Sequence, residues 1–126
     1  MKHLHIVKIR YIFRLIAIQR YIASTMTTPI DLDEIIKALA HPTRREMLAC
    51  LKNPEQHFGS QEHPFEFGVC AGKFTQCGLS QSTVSAHLAV LQRAQLISCK
   101  KVGQWNFFKR NEEVISEFLL QMGKEL

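Results

Sequence analysis

Between Gln81 and Arg93 the chain reads QSTVSAHLAVLQR, a run of small and hydrogen-bonding residues interrupted by regularly placed aliphatics. With Val84 and Leu88 on the buried side of a helix, a turn of about 100° per residue points Ser82, Ser85, Ala86, Ala89 and Arg93 the other way. Gln81 flanks them at the helix start. Gln pairs bidentately with adenine, and Ser with several base edges. The small side chains at Ser85, Ala86 and Ala89 let the backbone approach a groove closely, and Arg93 suits a phosphate. Taken alone, the same face reads equally as a solvated helix side. Thr83 and His87 fall on the flank between the two faces, and His87 is as well suited to a hydrogen bond inside the domain as to an outside contact.

A second set of reactive residues is the cysteines at 50, 70, 77 and 99. From Gly68 the chain reads as a helix through Val69, Cys70, Ala71 and Phe74 to about Gln76, so Cys70 and Cys77 bracket it. Seven helical positions span about 10 Å by rise, whereas a disulfide needs Cα atoms within about 7 Å. Bonding this Cys-x6-Cys pair therefore unwinds part of that helix, a physical route from thiol oxidation to a change of shape. The alternatives are that both are small buried hydrophobes, or that they capture arsenite or another soft metal. Tetrahedral zinc would need two more ligands. Cys50, three residues after Met47, is expected in the core. Cys99 lies in a strand and could face either way. His57, Glu62 and His63 occupy a Pro/Gly loop whose spacing reads first as solvated, so no metal site and no cofactor is assigned.

A length of 126 residues fits one domain and is too short for a large two-domain enzyme. With 46% hydrophobic and 21% charged residues, the chain is neither disordered, collagen-like nor a membrane bundle. Neither a Gly-rich phosphate loop nor a nucleophile–base order is present, and the expectation is a protein that is not an enzyme. The net charge of +5 comes entirely from Lys2, Lys8, Arg10, Arg14 and Arg20, because the other 11 basic residues balance the chain's 11 acids. A nucleic-acid reading must rest on where charge sits, not on its total.

Residues 1–28 read as a basic, apolar extension, interrupted too often by arginine for a signal peptide or a membrane span. Met26 opens a stretch that resembles a natural start, which points to an upstream start codon. A basic helix on a membrane or partner and a presequence are the other readings, and no stable membrane association is expected. Without a clean signal peptide, four free thiols in a reducing cytoplasm are the default.

The elements that must hold these residues can be read from 29–126. Asp31 with Glu34 forms a capping box before Leu32, Ile35, Ile36 and Leu39, predicting a helix over about 31–40. His41-Pro42 breaks it, and Pro42 opens a second helix to about Lys52 with Met47, Leu48 and Leu51 inward. Residues 53–67 read as a loop. After Cys77-Gly78-Leu79-Ser80, a tight turn, Ser80 caps a helix over about 81–94. Leu96–Lys101 and Trp105–Lys109 alternate around Val102-Gly103-Gln104 as a β-hairpin. Asn111 caps a last helix with Glu112 and Glu113 at its positive end and one apolar stripe of Val114, Ile115, Phe118, Leu119 and Met122. The expected fold is mainly α with a small β-hairpin. A hairpin directly after a helix-turn-helix is a winged helix, which inserts its recognition helix into the major groove.

The stretches ALAHPTRREMLACL, LSQSTVSAHLAVLQRAQLI and KKVGQWNFFKRN resemble the ArsR/SmtB winged-helix transcriptional repressors, across most of 30–126. The resemblance implies a homodimer formed by the first and last helices, here through Leu32, Ile36 and the stripe from Val114 to Met122. It implies a repressor that binds a palindromic double-stranded DNA operator and lets go when a small inducer arrives. It adds Thr83 and His87 to the contacts expected from Gln81, Ser82, Ser85, Ala86 and Arg93, with Lys100, Lys101 and Gln104 of the wing tracking phosphate. The family's metal sensors use a Cys-x-Cys pair or an Asp/Glu/His set on the last helix, and this chain departs from both. That leaves thiol oxidation or electrophile modification at Cys70 and Cys77 as the favoured inducer chemistry, with a soft metal second. A winged helix that binds only protein is the competing class.

Overall fold

A computed structural model describes residues 8–18 and 28–126. Residues 8–18 form helix α1, exposed along its length, with Tyr11, Ile12 and Phe13 open to solvent. Met26 and its candidate start lie outside the described residues. Among those described, no helix is long and apolar enough to cross a membrane.

Helix α2 (Leu32–Leu39) starts where the Asp31 carboxylate accepts a hydrogen bond from the Glu34 amide at 3.1 Å, and it buries Ile35 and Ala38. Helix α3 (Pro42–Lys52) begins on proline, with His41 Nδ1 accepting from the Thr43 amide at 3.2 Å. Met47, Leu48 and Leu51 point inward as their spacing requires. Residues 53–67, expected to be loop throughout, contain a short helix α4 (Pro54–Phe58) and a 3-10 turn at Phe65–Phe67. Phe58 is buried, and the edge-on stacking of its ring on Phe74 at 5.1 Å orders this stretch.

The segment after Gly68 differs most from expectation. Instead of an α-helix through Cys70, it makes a two-residue strand β1 (Val69–Cys70) followed by a 3-10 helix over Ala71–Cys77. Gly72 and Thr75 are poor helix formers, and the burial of Val69 and Phe74 holds both ends of the segment to the core. Gly78 closes the 3-10 helix in the left-handed conformation, at φ 83°. Helix α5 (Gln81–Arg93) follows, then strands β2 (Ile97–Val102) and β3 (Trp105–Arg110), then helix α6 (Glu112–Glu125), which Asn111 caps through the Val114 amide. The two-residue turn between β2 and β3 is Gly103–Gln104, with positive φ at Gly103 only, the pattern of a type II′ hairpin.

The sheet is antiparallel in the order β1-β3-β2, so the hairpin gains a third strand along β3. Val69 faces Phe108 and Cys70 faces Phe107. Gly68 permits this approach: its φ is +109°, and a Cβ there would lie 2.6 Å from the Phe108 carbonyl oxygen. Helix packing, the 3-10 helix and the inner face of the sheet share one core around Leu91, Leu96, Ile97 and Val84. Architecture and order are those of a winged helix-turn-helix whose first arm is 3-10. Gly68→Ala is expected to lower unfolding free energy by about 3 kcal/mol, through the positive φ and the backbone clash. Denaturant titration reads the change, and Gly72→Ala, where an added Cβ meets open space, serves as the mild control.

Candidate nucleic-acid interface

Helix α5 is oriented by what it buries. Val84, Leu88 and Leu91 are each at most 2% exposed. Its amino end is held by Ser80, whose hydroxyl accepts from the Thr83 amide at 3.2 Å. The Ser80 hydroxyl also meets Thr83 Oγ1 at 2.8 Å and Ser82 Oγ at 3.2 Å, so three hydroxyls cluster at the amino end. At the carboxyl end Gln95, with φ 61°, swings the chain into β2. The opposite face, Gln81, Ser82, Ser85, Ala86, Ala89 and Arg93, is exposed, and Thr83 is exposed beside it. The structure thus gathers the base-reading residues expected from sequence onto one open surface about 20 Å long.

The wing adds charge next to that surface. Lys101 and Gln104 are exposed around the hairpin turn. Lys100 is also exposed, but its ammonium lies 4.7 Å above the Phe67 ring, a cation–π contact that draws it back towards the loop. Lys109 is engaged as well, donating to the Glu66 carbonyl at 3.2 Å.

His87 is half-buried and turns to the start of α3, where its ring lies 4.6 Å from that of His41 and its Nδ1 lies 3.4 Å from Arg44 Nη1. Of its two sequence readings, the contact inside the domain is the one seen. Arg44 also donates to the carbonyls of Ala38 (2.7 Å) and Lys37 (3.1 Å), and Arg45 donates to that of Leu39 (2.6 Å). These arginines close the carboxyl end of α2, satisfying the Ala38 and Leu39 carbonyls and adding a second donor to that of Lys37, which the Ala40 amide also reaches. Sequence reading missed this role. The available signal was two arginines directly after a helix stop.

The cysteines are redistributed. All four are free thiols. Cys70 is half-buried in β1 and lines a hollow with His63, Lys73 and Trp105. Cys77 is exposed at the far end of the 3-10 helix, where a rise of about 2 Å per residue puts it farther from Cys70 than an α-helix would. Cys77 instead shares a cavity of about 150 Å³ with Cys50. Cys50, expected as inert core, is half-buried; burial, then Cys77, then Glu46 push its thiol pKa above the ordinary range. Cys99 is half-buried, and burial raises its thiol pKa too. In the loop, His57 and Glu62 are exposed, while His63 packs edge-on to Phe107 (5.2 Å) and Trp105 (5.5 Å), its Nε2 buried without a hydrogen-bond partner. Among the described residues, no three His, Cys, Asp or Glu side chains are grouped to hold a metal.

Of the residues expected on a dimer face, Val114 is 1% exposed and already belongs to its own core. Ile115 and Phe118 lean on that core, and Leu32 and Met122 are half-buried. Ile36, Leu119 and Leu120 remain open, at 45%, 63% and 51% exposure. Leu120 was not singled out from sequence because it lies off the stripe.

An exposed recognition helix beside a charged hairpin defines a winged-helix DNA-binding protein. No family model matches the chain. It is 37% identical over 87 residues to the uncharacterized HTH-type transcriptional regulator YbzH of Bacillus subtilis, an overlap of 67% of this chain and 87% of that one. It is 27% identical over 86 residues to the transcriptional repressor SdpR of the same organism, covering 68% of this chain and 82% of the repressor. Among solved structures, HlyU from Vibrio cholerae aligns at 26% identity with a TM-score of 0.49, over 71% of this chain and 87% of that one. HlyU from Vibrio vulnificus, a transcriptional regulator, aligns at 22% identity with a TM-score of 0.47, over 86% and 96%. The chain belongs to the HTH-type transcriptional regulators.

Burial, then the neighbouring His41 and Arg44, lower the pKa of His87 below the ordinary imidazole value. Folding therefore favours the neutral ring. Its contribution is complete above the unfolded pKa of about 6.5 and is lost as pH falls through the lower folded value. Thermal unfolding followed between pH 7.5 and pH 5 is expected to show a steeper loss of stability in the wild type than in His87→Gln.

Proposed function

We propose that this regulator is a cytoplasmic homodimeric repressor that binds a palindromic operator and is released by an inducer acting on its thiols. The open polar face of α5, between the Ser80 cap and Arg93, is the observation that carries the reading. Gln81, Ser82 and Ser85 read base edges, Ala86 and Ala89 allow close approach, and Arg93, Lys101 and Gln104 hold phosphate. Thr83 contributes its methyl group and a hydroxyl shared with the cap. His87 acts from behind by fixing α5 against α3. Ile36, Leu119 and Leu120 supply the apolar centre of the dimer contact, with Leu32, Ile115, Phe118 and Met122 around it. Two such modules read half-sites about 34 Å apart. Residues 1–28 are an extension to the DNA-binding domain at 29–126.

The inducer is an oxidant or electrophile that meets the exposed Cys77. Arsenite or another soft metal captured by the same thiols is the second reading.

Fluorescence anisotropy against the chain's own promoter tests the whole proposal. Specific binding must outcompete random DNA, which a module that binds only protein cannot do. Gln81→Ala is expected to cost about 1–3 kcal/mol on the operator and to relax its base preference. Arg93→Ala should weaken all sequences alike and lower the salt slope by about one. Leu119→Asp is expected to shift the sedimenting species from dimer to monomer and to weaken operator binding with it.

A further inference from the structure

We propose that Cys50 and Cys77 form an oxidisable thiol pair, closed to a disulfide by a hydroperoxide, and that closure releases DNA. The effect on DNA rests on the repressor reading above, whereas the bond itself does not. Both cysteines line the same cavity, walled by Thr43, Met47, Phe58 and Phe74. Cys70 opens onto a different hollow, and its strand is tied by a bond from its own amide to Gln61 Oε1 at 3.3 Å.

The two thiols differ in access in the way a two-step oxidation requires. Cys77 is exposed, and its thiolate is the first nucleophile. Its sulfur attacks the peroxide: an S–O bond forms, the O–O bond breaks, and the leaving alkoxide takes a proton to become an alcohol. Cys50 is half-buried and so less open to peroxide than Cys77, and burial raises its thiol pKa. Its sulfur then attacks the sulfenic sulfur of Cys77. The S–S bond forms, the S–O bond breaks, and water leaves with the Cys50 proton. In total the dithiol loses two electrons and two protons, and the hydroperoxide is reduced to an alcohol and water.

Closure acts on the DNA surface through a short path. Cys77 ends a 3-10 helix, and Gly78 beside it sits in the left-handed conformation, a point where the backbone can pivot. Leu79 lines the same cavity, and Ser80 caps α5. Drawing Cys77 towards α3 moves this turn and with it the amino end of α5, which carries Gln81, Ser82 and Ser85.

The test oxidises the full reduced chain with tert-butyl hydroperoxide, maps disulfides by non-reducing peptide mass spectrometry and measures promoter affinity on the same samples. The expected result is a Cys50–Cys77 peptide lighter by two hydrogens, formed in the wild type and in Cys70→Ser but not in Cys77→Ser. Affinity should fall about tenfold or more, the range of a typical allosteric coupling, and return on reduction. A Cys70–Cys77 link, an interchain link or no link overturns the pair. A Cys50–Cys77 link with unchanged affinity overturns the switch. Should the reduced protein ignore its promoter, the repressor reading fails, while the peptide map still decides whether the pair exists. Because the wild-type map is decisive, the outcome does not depend on Cys50→Ser folding.

Discussion

The polar face proposed to meet DNA depends on the burial of the opposite side of α5. Val84, Leu88 and Leu91 lock that helix into the core, each contributing about 1.5–3 kcal/mol. A helix so fixed has no rotational freedom, and its opposite side is then determined residue by residue. The Ser80 cap sets where the helix begins and thus which residue comes first on the open face. Base recognition is short-ranged, so a rigid platform with small side chains suits the task better than a mobile loop.

The core alone does not set the angle between α5 and the helices beneath it. That falls to a polar junction. His41 both caps α3 and lies against His87 of α5, while Arg44 links the end of α2 to the same ring. One cluster therefore touches three helices. His87, on the flank of α5 with both an inside and an outside reading open from sequence, makes its contacts inside the domain. Neutral imidazole fits at His87 because burial disfavours its charged form, and the neighbouring His41 and Arg44 add to that effect.

Elements with strong local signals were legible. The Asp31, Ser80 and Asn111 caps, the Pro42 start and the Gly103 hairpin emerge where their side-chain chemistry places them. The exposed row from Gln81 to Arg93 followed from helical periodicity, which needs only two buried positions to be set. The segment at 68–77 was not legible. A two-residue strand has no periodicity, and the 3-10 helix after it is held by Phe74 packing on Phe58 and Phe108, partners distant in sequence. Reading that stretch as an α-helix also set Cys77 closer to Cys70 than the more extended 3-10 helix does.

Local chemistry in the chain was enough to determine the helix order, the hairpin and the face that α5 leaves exposed, because caps, turns and amphipathic spacing act between residues a few positions apart. Tertiary packing alone decided which thiols share a cavity, why two arginines face backbone carbonyls, and that Val114 serves its own core while Leu119 and Leu120 stay open. These are contacts between segments whose distance in space has no trace in their spacing along the chain.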